Sequence, residues 1–111
     1  MTRSDDQRLG DILAAIDRCV SYRDYLDSSD HSAMAYDAVL RNLAVIGEAV
    51  RALPGEYKSE HPNTPWASIA GLRNIVIHEY FRINLDLIRD IVDNDLATLA
   101  ESLRGGSEGS V

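Results

Sequence analysis

Between Ser32 and Leu53 the chain carries apolar residues at Tyr36, Val39, Leu40, Leu43, Ile46, Val50 and Leu53. Steps of three and four place all seven along one side of a helix. This stripe constrains the fold more than any other feature. A helix with a single apolar side must bury that side against another layer of the same chain. The pair Pro54–Gly55 stops it, because proline cannot continue a helix and glycine resists one. Gly47 interrupts it at a cost of about 1 kcal/mol relative to alanine. Either a neighbouring helix comes close there or the glycine is merely tolerated.

Three more segments offer the matching faces. Leu9, Ile12, Leu13, Ile16, Cys19 and Val20 have helical spacing from the N-terminal side, with Ser4 or Asp5 as the cap and an end near Leu26. Residues 55–63 read as a connector with a short helical turn at "EYKSE". Thr64 reads as an N-cap and Pro65 as the first residue of a third helix, with Trp66, Ile69, Ala70, Val76 and Ile77 on its apolar side. Asn84 reads as the cap of a fourth helix, with Asp86 in its first turn, continuing through Leu87, Ile88, Ile91, Val92, Leu96, Leu99 and Leu103. No strand pattern and no internal repeat competes with these helices. The expected fold is all-α, a four-helix bundle with mostly antiparallel up-down neighbours. Residues 1–104 form one domain, and 105–111, "GGSEGSV", read as a flexible tail.

Composition limits the function classes. A chain of 111 residues supports one domain with a real core. Its formal charge of −7 lacks the basic surface of a general nucleic-acid binder. Any role on RNA or DNA must therefore rest on a few arginines focused in a cleft. The single cysteine, Cys19, rules out an intrachain disulfide and fits a reducing compartment. No stretch has the apolar length of a membrane span, and "MTRSDDQRLG" is unlike a signal peptide, so a cytoplasmic location without membrane attachment is expected.

Few residues carry chemistry. There is no glycine-rich phosphate loop, no paired-cysteine metal site, and no metal-ligand spacing among His31, His61 and His78. His31 and His61 read as solvated loop residues. Asp5, Asp6, Asp11, Asp17 and Asp24 read as a solvated face. The exception is "LRNIVIHEYF" at 72–81, which sets Arg73, Asn74, His78, Glu79 and Tyr80 in an apolar run. Asn74 and His78 are four apart, so they share a face and Asn74 is able to orient the imidazole. Arg73 and Tyr80 also align, about two turns apart. Arg73 and His78 diverge by roughly 140° around an ideal helix. A long arginine bridges that gap, or a two-fold dimer brings two such pairs together. The plain alternative is a buried polar cluster that satisfies itself inside the bundle.

"RNIVIHEY" resembles the Arg-x4-His-x-Tyr motif of HepT-like toxins in the HEPN superfamily. Arg73, His78 and Tyr80 fall on its three fixed positions, and Asn74 matches the polar residue that often follows the arginine. "AVLRNLAVIGEAVRALP" at 38–54, "HPNTPWASIAGLRN" at 61–74 and "HEYFRINLDLI" at 78–88 resemble flanking segments of the family, so roughly residues 8–103 are covered.

The resemblance implies a HEPN-like bundle, a homodimer, and a metal-independent endoribonuclease without cofactors. It further implies the toxin of a type VII-like toxin–antitoxin pair, with tRNA a candidate substrate. An MntA-like nucleotidyltransferase antitoxin would transfer AMP to Tyr80. In this reading His78 is the acid–base, Arg73 the phosphate clamp, Asn74 orients His78 or contacts phosphate, and Tyr80 positions RNA and takes the modification. Arg82 and Arg51 add positive charge, and Glu79 is a surface residue. Two rivals remain: a non-catalytic nucleotide-binding or docking module for a nucleotidyltransferase, and a structural dimerisation protein.

Overall fold

Each apolar stripe in the sequence is a helix in the computed structural model, which describes residues 4–79, 82 and 84–108. Helix α1 spans Asp5–Arg23 and α2 spans Ser32–Ala52, joined by a 3-10 turn at Asp24–Asp27. A short α3, Gly55–Ser59, follows the proline stop at the "EYKS" turn. Then come α4 at Trp66–Ala70, α5 at Leu72–Glu79 and α6 at Leu85–Asp90. A π-helical turn at Ile91–Asp95 leads into α7, Leu96–Glu108. The third predicted helix is thus broken at Gly71 into α4 and α5. The fourth is α6 and α7 joined through the π turn, and it continues to Glu108 within the glycine-containing segment.

Pairings between distant residues give the directions. Arg18 meets Asn42 and Cys19 meets Val39, while Arg8 and Glu48 line one groove and Tyr25 and Met34 line another. As the α1 number rises the α2 number falls, so the two are antiparallel. Arg23 with Asp93 and Arg104 with Asp17 give the same sense for α1 against the last helical segment. Gly47 against Ala70 and Arg73, and Tyr36 against Arg82, give it for α2 against the third segment. The fold is an all-α, up-down helical bundle, and no strand occurs among the described residues.

The core forms where the stripes meet. Ile12, Ile16, Leu40, Leu43, Ile46, Ile69, Leu72, Ile88, Leu96 and Leu99 are almost fully buried. Every member of the α2 stripe is buried, from Tyr36 to Leu53. Tyr36 also keeps its hydroxyl satisfied, donating to the Arg82 carbonyl at 2.7 Å. That bond anchors the chain just after α5 to the main stripe.

The caps divide between confirmation and correction. Ser4 caps α1 in a reciprocal box with Gln7, and the Asn84 side chain accepts from Leu87 N–H at 3.1 Å. Thr64 does not cap α4. Pro65 occupies that position without a side-chain bond, and Thr64 is instead buried with its carbonyl accepting from Trp66 N–H at 2.8 Å. Helix α4 starts one residue later than the threonine–proline signal implies. Ile77 is a second correction, since it stands 58% exposed rather than on the buried side. The inward face of the segment runs through Ile69, Leu72 and Val76, in steps of three and four, and this spacing leaves Ile77 off it.

Candidate functional site on helix α5

Helix α5 is held to α2 by a missing side chain. A Cβ built on Gly47 would stand 3.1 Å from the Arg73 backbone nitrogen and 3.3 Å from the Ala70 carbonyl oxygen. Few real Cβ contacts are that short, so only glycine lets the α4–α5 backbone lie this close to α2. The interruption in the α2 stripe is therefore a close approach.

This seating decides which way the polar residues of α5 point. Leu72 faces the core, and Ile75 and Val76 pack against it. Arg73, Asn74 and His78 are exposed. The buried, self-satisfied cluster is thus overturned for these three residues. Their polar atoms carry no desolvation cost that inner partners must offset. Among the described residues neither Asn74 nor His78 has a side-chain hydrogen bond, so the Asn74–His78 hydrogen bond that the spacing allows is not formed. Tyr80 lies outside the described residues.

Arg73 does have a partner, and sequence spacing did not suggest it. Its Nε lies 2.8 Å from Oε1 of Glu48 on α2, both side chains being about half exposed. Glu48 follows Gly47, so the residue that admits α5 and the residue that meets its arginine are adjacent. The signal was present as "GEA" at 47–49, but nothing linear connects it to residue 73. Arg51, about one turn further along α2, and Arg82 are both exposed.

The other candidates fall away. His31 lies at the head of α2, with its Nδ1 3.3 Å from the Ser28 hydroxyl. His61 is more than a solvated loop residue: its ring stacks on Tyr57 at 4.4 Å and its Nδ1 lies 2.9 Å from the Tyr57 carbonyl oxygen. It is part of the connector's packing beside Trp66. Burial pushes the Cys19 thiol up to about 12, leaving it protonated and a poor nucleophile. Among the described residues no three His, Cys, Asp or Glu side chains are grouped to hold a metal ion. No described helix is long and apolar enough to cross a membrane.

An exposed arginine beside a carboxylate, with a histidine farther along the same short helix, offers a fixed cation for an anion and an imidazole able to move a proton. The family model described as ribonuclease HepT-like matches residues 12–104, which include α5 and nearly all of the bundle. The chain belongs to the HepT-like ribonuclease family. It is 32% identical over 105 residues to "Probable ribonuclease HepT" of Thermococcus cleftensis, covering 89% of this chain and 92% of the relative. It is 34% identical over 97 residues to "Putative RNase MJ1380" of Methanocaldococcus jannaschii, covering 86% and 89%. A second protein of that organism, "Putative RNase MJ0127", is 40% identical over 81 residues, covering 67% of each chain. No solved structure gives a significant match. The matched region includes Arg73, Asn74 and His78, and all three are exposed.

Proposed function

We propose that this HepT-like protein is an endoribonuclease toxin. It cuts RNA with Arg73 and His78 and is silenced by a partner nucleotidyltransferase that adenylylates Tyr80. The observation that carries this reading is the outward presentation of Arg73, Asn74 and His78 on α5, with Arg73 paired to Glu48.

RNA supplies its own nucleophile, the 2′-OH. Neutral His78 removes that proton, the 2′-oxygen attacks the adjacent phosphorus, and a protonated histidine returns a proton to the departing 5′-oxygen. Negative charge builds on the phosphate oxygens, where the always-charged Arg73 guanidinium lowers its energy. Asn74 contacts phosphate or aligns the imidazole once RNA is bound. This route leaves a 2′,3′-cyclic phosphate on one product and a 5′-hydroxyl on the other. Incubation with single-stranded RNA in the presence of EDTA should yield those ends. Intact RNA, or products with 5′-phosphates, would reject the mechanism and favour a docking module.

The protein acts as a homodimer in this proposal. Two copies gather two arginines and two histidines in one groove, concentrating positive charge on an otherwise acidic molecule. On α5 the exposed large apolar side chain is Ile77, at 58%, next to His78, so the proposed face centres on α5. Light scattering at micromolar concentration should give twice the 12.3 kDa chain mass. A monomer would remove the composite groove.

AMP on Tyr80 adds bulk and a phosphate, and in this proposal that phosphate competes with RNA for Arg73. Peptide mass mapping after incubation with ATP and a nucleotidyltransferase encoded beside this chain should find the added AMP on Tyr80. Modification confined to another residue rejects this mode of control.

A further inference from the structure

The pairing of Glu48 with Arg73 has a consequence for the reaction. An exposed arginine explores many rotamers, and catalysis needs one of them. Glu48 approaches most closely at Nε, the root of the guanidinium fork, at 2.8 Å. The contact is an ion pair, and no guanidinium nitrogen of Arg73 makes a hydrogen bond among the described residues. The Nη pair is the edge whose two parallel donors fit two phosphate oxygens. One carboxylate can therefore orient the side chain from behind without occupying its gripping edge.

The backbone makes this contact specific. Gly47 brings the Arg73 backbone within van der Waals reach of α2, and the next residue is the glutamate that meets its side chain. Arg23–Asp93 at 2.9 Å and Arg89–Asp27 at 2.6 Å also join distant segments, but neither involves α5. The Glu48 pair joins the motif helix to the main stripe of the bundle.

We propose that Glu48 is the positioning residue for Arg73, fixing the guanidinium so that its Nη edge faces the scissile phosphate. This rests on the reading of Arg73 and His78 as the RNA-cleaving pair. Glu48 itself touches no reacting atom. Its negative charge opposes RNA binding, so its benefit appears in turnover rather than affinity.

Cleavage of a fluorescent, mixed-sequence single-stranded RNA oligonucleotide tests the proposal. Glu48→Ala should lower kcat about 100-fold, the scale of a misplaced catalytic group, with KM unchanged or lower. Glu48→Gln keeps the side-chain shape and an oxygen beside Nε but loses the charge, and should retain several-fold more kcat than the alanine variant. Adding Glu48→Ala to Arg73→Ala should cause no further loss, because the glutamate then has nothing to position. Melting temperatures should stay within roughly 2 °C of the parent, since an exposed pair contributes little to stability. Parental kcat in Glu48→Ala overturns the proposal. So does a rise in kcat/KM, which would make Glu48 a competitor of RNA. If Arg73→Ala is inactive while Glu48→Ala is not, only the positioning role fails. If Arg73→Ala cleaves like the parent, the site and its positioning residue fall together.

Discussion

His78→Ala and Arg73→Ala should each remove RNA cleavage while leaving the melting temperature close to that of the parent. Proton transfer by a placed side chain contributes about 10²–10⁴-fold to a rate, and a donor aimed at developing charge about 10²–10³-fold. Losses on that scale take a toxin assay to background. Exposure is what makes the stability half of this expectation sharp. Both side chains sit on the outer face of α5, so truncation leaves no cavity and no buried orphan. Arg73→Lys should also lose most activity, because an ammonium lacks the planar two-donor edge. Steady-state kinetics and thermal melts on the same samples decide the matter. Two alanine variants that cleave like the parent would reject the assigned roles. Two inactive variants that melt more than about 10 °C lower would show the residues to be structural.

The second large effect concerns one substitution made at two glycines. Gly10→Ala on α1 should stabilise the fold by about 0.5–1 kcal/mol, since nothing lies within 4 Å of the added carbon and alanine favours the helix. Gly47→Ala makes the same propensity gain but meets the Arg73 nitrogen at 3.1 Å and the Ala70 oxygen at 3.3 Å. Both are backbone atoms, so relief requires α4 and α5 to move as a body. Overpacking of this kind costs about 1–3 kcal/mol, which exceeds the propensity gain. Denaturant unfolding should separate the two variants by about 2 kcal/mol, with opposite signs relative to the parent. Gly47→Ala should also slow cleavage, because the displacement parts Arg73 from Glu48. Stabilisation at both sites would mean that the bundle yields freely at the α2–α5 contact.

Which residues build the helices was legible in the sequence, because local spacing carries that information. The α2 stripe, its proline stop, the Ser4 and Asn84 caps and the turn at "EYKS" all follow from neighbours a few residues apart. Arg73, Asn74 and His78 were singled out by their resemblance to a family motif, which spacing alone did not supply. Where the local logic of spacing was extended too far, it failed. The face read from Trp66 placed Ile77 inside, but the inward row runs through Ile69, Leu72 and Val76 and leaves Ile77 in solvent. The Thr64–Pro65 pair signalled a cap that the buried threonine does not supply.

By itself, then, the sequence determined an acidic, all-helical chain with its polar motif on a third helical segment. It left open whether those polar side chains faced a partner within the bundle or the solvent outside. Only the tertiary structure decided that, because the answer depends on how α5 seats against α2. Gly47 sets the distance, Leu72 takes the inward position, and Arg73, Asn74 and His78 are turned outward as a result. The pairing of Glu48 with Arg73 arises from the same seating. Residues 25 apart in the chain meet through helix packing, and no periodicity along one helix encodes that distance.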